Sequence, residues 1–206
     1  MARRYSGGSP TAPPALARYD RRVGGSGENV GGYAFDHVLI AAQQGAPWAN
    51  TLLWAEYAPA VKAFLTARGS EEPDDLTTEV FLSVFDGLQA FSGDESQFRS
   101  FVFTIAYRRL VDEFRRRSRR GIHSEWSPDS DGRAAASAED EALTRVGDAA
   151  ARMLLDGLPE DQRNVMVLRI VADLTVEQVA QVLGKRPGAV KALQRRALDS
   201  LRRKLS

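Results

Sequence analysis

The stretch TVEQVAQVLGKRPGAVKALQRR, residues 175–196, has the pattern of two short helices joined by a tight turn. Thr175 and Gln178 match a capping box, in which each side chain accepts a hydrogen bond from the other residue's backbone N–H at the start of a helix. Gly184 can adopt the positive φ that a short turn requires. Pro187 suits the first turn of the next helix, where its missing N–H costs nothing. The stretch therefore predicts a helix-turn-helix.

The second helix of this motif carries basic side chains on its predicted outer faces. A recognition helix places its first half in the major groove, where Arg and Lys can donate to O6 and N7 of guanine. Lys191 and Arg195 are placed for that role, and Arg186 could hold a phosphate at the helix start. An ordinary helical hairpin with a basic exposed face is the alternative, and the combined motif favours DNA binding. The predicted inward stripe consists of Val190, Leu193, Ala197 and Leu201.

Composition divides the rest of the chain into segments. Residues 1–33 are rich in Gly, Pro and Ser, which predicts a disordered N-terminal tail. Residues 34–120 show helical periodicity and form the first predicted domain. Residues 121–142 lose this periodicity and gain Ser, Asp, Gly and Ala, which predicts a flexible acidic linker. With a second domain at residues 143–206, we expect an all-α protein of two small helical domains.

Apolar spacing and helix-boundary residues predict three helices in the first domain. One apolar stripe ends at Gly69, and Pro73 suits the first turn of the helix that follows. A polar loop at residues 92–97 should precede a third helix over residues 98–117. The apolar residues that fit a buried stripe in this helix are Phe98, Phe101, Val102 and Ile105. Tyr107 and Phe103 are instead candidates for stacking on unpaired bases.

The formal net charge of +1 conceals segregated blocks of charge. Residues 71–97 contain eight acidic side chains and no basic one, which predicts a basic protein partner. Residues 98–120 contain eight arginines against two acidic residues, and residues 185–206 contain eight basic residues against one. One basic block in each predicted domain favours two contacts with nucleic acid over two merely solvated helix faces.

Several function classes are made improbable by what the sequence lacks. Cysteine is absent, and the two histidines, His37 and His123, are far apart in the sequence, so we expect no disulfide, metal centre or cofactor. The first residues lack the apolar segment of a secretory signal, and no run is long enough for membrane insertion. We therefore expect a cytoplasmic protein.

Three segments resemble the sigma-70 family of RNA polymerase sigma factors, in its short extracytoplasmic-function (ECF) branch. Residues 74–81, DDLTTEVF, resemble the segment that binds the polymerase clamp. Residues 98–112, FRSFVFTIAYRRLVD, resemble the segment that opens and reads the −10 element. Residues 158–196 resemble the domain that reads the −35 element. The resemblance covers about residues 34–120 and 143–205, in family order.

The resemblance implies a promoter-reading subunit that is not an enzyme. Such a subunit binds core RNA polymerase, recognises double-stranded −35 and single-stranded −10 DNA, and aids promoter melting. The implied contacts with the β′ clamp are made by Asp74, Asp75, Leu76, Glu79 and Val80. The implied −10 contacts are made by Phe91, Ser92, Gln97, Arg99, Tyr107, Arg108, Arg115 and Arg116. The implied −35 contacts are made by Arg186, Pro187, Gly188, Lys191, Gln194, Arg195 and Arg196.

The same resemblance implies three further features. The loop over residues 91–97 would receive a flipped base of the non-template strand. The acidic linker would run toward the active-site channel and the RNA exit path of the polymerase, where its charge would mimic nucleic acid. An anti-sigma factor would be a further partner.

Two other functions remain as alternatives. A stand-alone helix-turn-helix regulator would bind DNA without polymerase, but it would leave the acidic and the aromatic-basic helices of the first domain unexplained. A hydrolase or nuclease built on Asp74, Asp75 and Glu79 would lack histidine support. Three carboxylates within two helical turns more often form a solvated interface.

Overall fold

The computed structural model describes residues 29–121, 155 and 157–205 of the chain. The predicted tail up to residue 28, the predicted linker beyond Gly121 and the start of the predicted second domain lie outside the described residues. In order, the elements are β1 (Asn29–Val30), β2 (Tyr33–Ala34), α1 (Phe35–Gln43), α2 (Pro47–Ala67), α3 (Pro73–Gly87), a 3-10 turn (Leu88–Ala90), α4 (Glu95–Gly121), α5 (Glu160–Ile170), α6 (Val176–Leu183) and α7 (Pro187–Leu205).

Helices α2, α3 and α4 form the core of the first domain through large apolar side chains. The ring of Phe64 on α2 meets that of Phe103 on α4 edge-on, with the ring centroids 5.8 Å apart. Tyr57 and Phe98 form a second edge-on pair between the same helices, at 5.3 Å. Because all four rings are fully buried, their contacts fix α4 alongside α2.

A two-stranded antiparallel hairpin precedes α1, whereas the sequence predicted a disordered tail up to residue 33. Val30 pairs with Tyr33 in the hairpin, and the Val30 side chain is fully buried in the first domain. The prediction is wrong for residues 29–33. Strands of two residues are too short to show the apolar alternation by which a strand is recognised in sequence.

Polar contacts join α4 to α3 and to the segment that precedes α3. The Arg109 guanidinium donates to Ser83 Oγ on α3 at 2.7 Å. Glu113, although largely buried, accepts hydrogen bonds from Ser70 Oγ at 3.1 Å and from the backbone N–H of Glu71 at 2.9 Å. These bonds satisfy polar groups that burial would otherwise leave without water.

The second domain consists of α5, α6 and α7, and its helix-turn-helix follows the sequence prediction. Gln178 N donates to Thr175 Oγ1 at 3.2 Å, and Thr175 N donates to Gln178 Oε1 at 2.6 Å, which confirms the capping box. Gly184 ends α6 with φ 62°, in the left-handed region that favours glycine. Pro187 is the first residue of α7. The buried side chains Leu168, Leu174, Val179 and Val190 belong to the core of this domain.

The two predicted domains contact each other, chiefly where α6 packs on α4. Most of their buried apolar residues form one continuous cluster, and a smaller cluster of Leu158, Met166 and Ala197 lies within the second domain. Within the described part of the chain, none of the helices combines the length and the apolar character that crossing a bilayer requires.

Candidate functional site

The outer face of α3 is acidic, and its predicted contact residues divide into two groups. Asp74 and Asp75 are exposed in the first turn of the helix, and Glu79 is half-buried one turn further along. Leu76 and Val80 are buried in the core instead, at 4% and 0% exposure. This burial contradicts the prediction that Leu76 and Val80 contact a partner directly. Both side chains instead pack beneath the acidic face and support it.

An open groove of about 600 Å³ lies between α2 and α3, beside the acidic face. Its apolar wall includes Trp54, Ala58 and Pro59 of α2, and its polar edge includes Asp74 and Asp75 of α3. Trp54 remains 38% exposed, although its ring packs on Phe81. Tryptophan is enriched in protein-binding surfaces and often contributes much of their affinity.

Trp54 and Leu82 are not among the contact residues predicted from the sequence. Leu82, on α3, is 61% exposed. The signal was present in the spacing, because Leu82 follows Asp75 and Glu79 at helical intervals of seven and three residues.

The predicted base-binding loop is shorter than expected. Asp94 Oδ1 accepts from the backbone N–H of Gln97 at 2.7 Å, and Gln97 Oε1 accepts from the N–H of Asp94 at 2.9 Å. This reciprocal cap starts α4 at Glu95, so residues 95–97 are helical and the loop proper spans residues 91–94. Ser92 and Gln97 are both exposed, as a nucleotide contact requires.

The first residue of this loop, Phe91, is held in place from two sides. Phe91 packs against Phe98 and Phe101, with ring centroids 5.3 Å away in both cases. Gln43, at the end of α1, donates through Nε2 to the backbone O of Leu88 at 3.0 Å and to that of Phe91 at 2.8 Å. Phe91 thus anchors the loop, and Ser92 is the first exposed position after it.

Arg99, on the first half of α4, is held in place by two neighbours. Its guanidinium lies 5.3 Å from the ring centroid of Tyr57 and 4.0 Å from the Glu95 carboxylate. Burial, followed by the negative charge of Glu95, holds the pKa of the Tyr57 phenol far above its usual range. The phenol therefore stays protonated and donates to Glu95 Oε1, at 3.4 Å.

The two aromatic candidates on α4 differ in accessibility. Phe103 is fully buried against Phe64, so its prediction as a base-stacking residue is wrong. Tyr107 is half-buried, and it lies among groups of the second domain. Arg108, Arg115 and Arg116 are exposed further along the helix and extend its basic surface.

Helix α7 carries the predicted −35 residues on accessible positions. Lys191 and Arg195 are both exposed and lie four residues apart, on one face of the helix, whereas Val190 and Ala197 are fully buried. Of the remaining predicted residues, Arg186, Pro187, Gly188 and Arg196 are exposed and Gln194 is half-buried. This arrangement gives a basic ridge that begins at the N-terminus of the second helix of the motif.

The carboxylates of α3 do not form a metal site. Within residues 29–121 and 157–205, no group of three or more His, Asp or Glu side chains has the arrangement that could hold a metal ion. The Asp74 carboxylate instead pairs with the Lys62 ammonium of α2 at 2.6 Å.

Two family descriptions match the chain, one in each domain. Sigma-70 region 2 matches residues 53–120, and Sigma-70 region 4 matches residues 154–203. The first match runs from within α2 through α3 and α4, with the acidic face and the basic helix. The second covers α5 to α7, with the helix-turn-helix.

Individual relatives agree with these matches. The chain is 36% identical over 133 residues to the ECF RNA polymerase sigma factor ShbA of Streptomyces griseus, covering 63% of this chain and 69% of that protein. It is 33% identical over 138 residues to the ECF RNA polymerase sigma factor SigD of Mycobacterium bovis, covering 66% of this chain and 64% of that protein.

The fold also matches a solved structure. The sigma factor RpoE from Bartonella quintana, solved in complex with the anti-sigma factor NepR, superposes with a TM-score of 0.60 at 21% identity. The superposition covers 75% of this chain and 95% of that one. At this identity the match supports the fold alone.

Proposed function

The chain belongs to the sigma-70 family, in its extracytoplasmic-function branch, and from this premise we propose that it joins core RNA polymerase to promoters whose −35 and −10 elements it reads. The observation that carries the proposal is the separation of charge on the folded chain. An acidic face on α3 stands apart from two basic helices, α4 and α7, which belong to different domains. A protein that must hold both a basic protein surface and DNA needs this separation.

The α3 face and the adjoining groove are proposed to bind the β′ clamp of the polymerase. Asp75 and Glu79 would face basic residues of the clamp, and the exposed parts of Trp54 and Leu82 would supply apolar contact. Buried aromatic anchors surrounded by charge are the usual source of affinity in such interfaces.

The loop at residues 91–94 and the exposed side of α4 are proposed to bind the unpaired −10 strand and to aid melting. Ser92 and Gln97 would contact a flipped base, and the anchored Phe91 would keep the loop in place. Arg108, Arg115 and Arg116 would contact phosphates. A pre-formed loop lowers the free energy needed to hold an extruded base, because little of the loop has to be ordered on binding.

Helix α7 is proposed to enter the major groove of the −35 element. Lys191 and Arg195 would donate to base edges, and Arg186 would contact a phosphate at the start of the helix. Because promoters and core polymerase are cytoplasmic in bacteria, the proposed function places the chain in the cytoplasm.

Two further features are proposed from membership of the family. The acidic segment between the domains would run through the polymerase toward the RNA exit path. An anti-sigma factor would control access to the chain, in keeping with the structural neighbour that was solved in complex with one.

The proposed sigma factor and the alternative, a stand-alone helix-turn-helix regulator, differ in whether specific DNA binding requires the polymerase. We expect the purified chain to bind a library of promoter-region duplexes from its own genome weakly, and the same chain with core polymerase to retain a specific subset. The measurement is a mobility shift of the library with sequencing of the retained DNA. Equal selection with and without core polymerase would support the regulator instead.

A further inference from the structure

The chain enters its first domain beside the groove between α2 and α3. Val30 is fully buried, so it fixes the first described residues against the domain. The backbone at Gly31 approaches α2 so closely that an added Cβ would lie 2.7 Å from Leu52 Cδ2. Pro59, two helical turns beyond Leu52 on the same side of α2, lines the groove. The N-terminal segment, residues 1–28, is therefore tethered next to the groove.

The groove combines an apolar wall with carboxylates that lack a cation of their own. Trp54 and Pro59 belong to the wall, and both are exposed. At the rim the Lys62 ammonium pairs with the Asp74 carboxylate at 2.6 Å. Three further carboxylates at the start of α3 and along its outer face have no ion-pair partner among the described residues: Glu72, Asp75 and Glu79. The groove therefore suits a ligand that is both cationic and partly apolar.

The N-terminal segment contains side chains of this chemistry. Residues 18–22 are Arg-Tyr-Asp-Arg-Arg, so three guanidinium groups accompany one aromatic ring and one carboxylate. Guanidinium groups donate paired hydrogen bonds to carboxylates and stack on aromatic faces such as that of Trp54. The three arginines equal in number the three carboxylates that lack an ion-pair partner.

The length of the intervening chain allows these groups to meet. Arg22 is seven residues from Asn29, which at about 3.3 Å per extended residue gives a reach of about 23 Å. Lys62 is the lining residue of α2 farthest from Leu52, at ten residues or about 15 Å along the helix. A second basic pair at residues 3–4 must close a loop of about 25 residues instead of about nine, which lowers its effective concentration about fivefold.

We propose that residues 18–22 bind in the groove between α2 and α3 of the same chain, and that the polymerase clamp displaces them. Arg18, Arg21 and Arg22 face the carboxylates, and Tyr19 packs on the apolar wall. Because the segment is tethered, its effective concentration is in the millimolar range, and contacts too weak to hold a free peptide are sufficient. The displacement rests on the proposed function, because it assumes that the clamp binds this face, whereas the docking of the segment does not.

The docked segment acts on polymerase binding alone. The predicted DNA-binding residues belong to α4, to the loop before it and to the motif that ends in α7, and none of them lines the groove. A partner of α3 must bind more tightly than the segment does, so docking keeps weakly basic surfaces off the α3 face.

A cross-link measures the docking in the full-length chain. The chain has no cysteine, so Ala17→Cys/Thr78→Cys places one thiol beside the arginines and one in the groove. The matched control is Ala17→Cys/Gln44→Cys, because Gln44 is exposed and precedes α2, on the other side of Leu52 from the groove. We expect a short bismaleimide to join the first pair at least about tenfold faster than the second, since docking raises the local thiol concentration.

Salt and the size of the product complete this test. The faster reaction of the first pair should slow to the control rate in about 1 M NaCl, where the Debye length is only about 3 Å. Equal rates for the two pairs at low salt would overturn the docking. A cross-linked dimer as the main product would also overturn it, because the occupant would then come from a second copy of the chain.

Titration with core polymerase tests the displacement. Arg21→Ala/Arg22→Ala should bind core enzyme about three- to fivefold more tightly than Arg3→Ala/Arg4→Ala, which removes the same charge from the less favoured pair. The reason is that apparent affinity rises with the fraction of chains whose groove is open. Equal affinities, or tighter binding by the second variant, would overturn the displacement. If neither variant binds core polymerase, the proposed function is wrong, and the cross-linking rates still decide on the docking.

Discussion

Charge reversal at two positions of α3, Asp75→Lys/Glu79→Lys, is expected to lower the affinity of the chain for core RNA polymerase by at least about a hundredfold. Like charges brought together in an interface cost several kcal/mol, and each 1.4 kcal/mol corresponds to a factor of about ten in affinity. Asp75 is exposed and Glu79 is half-buried on the outer face, so neither change disturbs the core. The measurement is titration of labelled chain with core enzyme.

The matched control is Asp36→Lys/Glu177→Lys, which makes the same total change of charge at exposed positions of α1 and α6. We expect the control to retain its affinity for the polymerase, apart from a small effect of net charge. The Asp75/Glu79 variant should also retain the unassisted binding of the chain to duplex DNA. If both variants lost the polymerase equally, the α3 face would not be the contact.

Removal of two basic side chains from α7, Lys191→Ala/Arg195→Ala, should lower transcription from −35-dependent promoters by at least about tenfold. Each bidentate contact of Arg or Lys with a base contributes about 1–3 kcal/mol of discrimination. Both residues are exposed on one face of the helix, and the buried residues Val190 and Ala197 are unchanged. The measurement is transcription by the assembled holoenzyme on promoters with matched and scrambled −35 elements.

Arg203→Ala/Lys204→Ala is the control for this experiment, because it removes the same charge from the last turn of α7. The control should weaken binding uniformly and keep the preference for the matched −35 element, as loss of a non-specific phosphate contact does. Loss of preference in the control, with preference intact in the Lys191/Arg195 variant, would contradict the assignment.

Local sequence signals were sufficient for the helix-turn-helix. Three local features predicted it: the capping box of Thr175 and Gln178, the positive φ of Gly184, and Pro187 at a helix start. They lie within one short stretch of the chain, and all three occur in the structure as predicted. Each feature depends on the backbone close by and hardly on the rest of the fold. The acidic and basic surfaces were predicted equally well, because most charged side chains remain exposed when the chain folds.

Two other features were predicted less well, one of them local and one dependent on tertiary packing. The side chains of Asp94 and Gln97 start α4 three residues earlier than apolar spacing suggested, since polar caps lie outside the apolar stripe. Phe103 and Tyr107 look alike in sequence, and only packing against Phe64 makes the first of them a core residue.

Burial of charged residues could not be foreseen from the sequence. Arg68 and Glu113 are 5% and 8% exposed, although charged residues are seldom buried without partners. Glu113 accepts a hydrogen bond from Ser70, which is 43 residues away along the chain. Arg68 pairs with Glu160, which is still farther away in sequence. The contact between the two domains likewise joins residues that lie far apart in the sequence.

The proposed function makes the chain a bridge between two macromolecules. Its acidic α3 face would bind the polymerase, and its two basic helices would bind separate elements of the promoter. Each of these surfaces is built by a helix whose opposite side is buried in the core, so the exposed residues are held at defined positions. None of these three surfaces requires a catalytic group, and the sigma-70 family acts in transcription initiation without one.

Run-off transcription on the genomic DNA of the source bacterium tests whether the chain directs initiation at specific promoters. Core RNA polymerase, freed of other sigma factors, is incubated with and without the purified chain, and the 5′ ends of the transcripts are sequenced. We expect a small set of new start sites that share upstream −35 and −10 elements and depend on the chain. If the chain adds no specific start site, although core enzyme with another sigma factor is active on the same template, then it does not direct promoter-specific initiation.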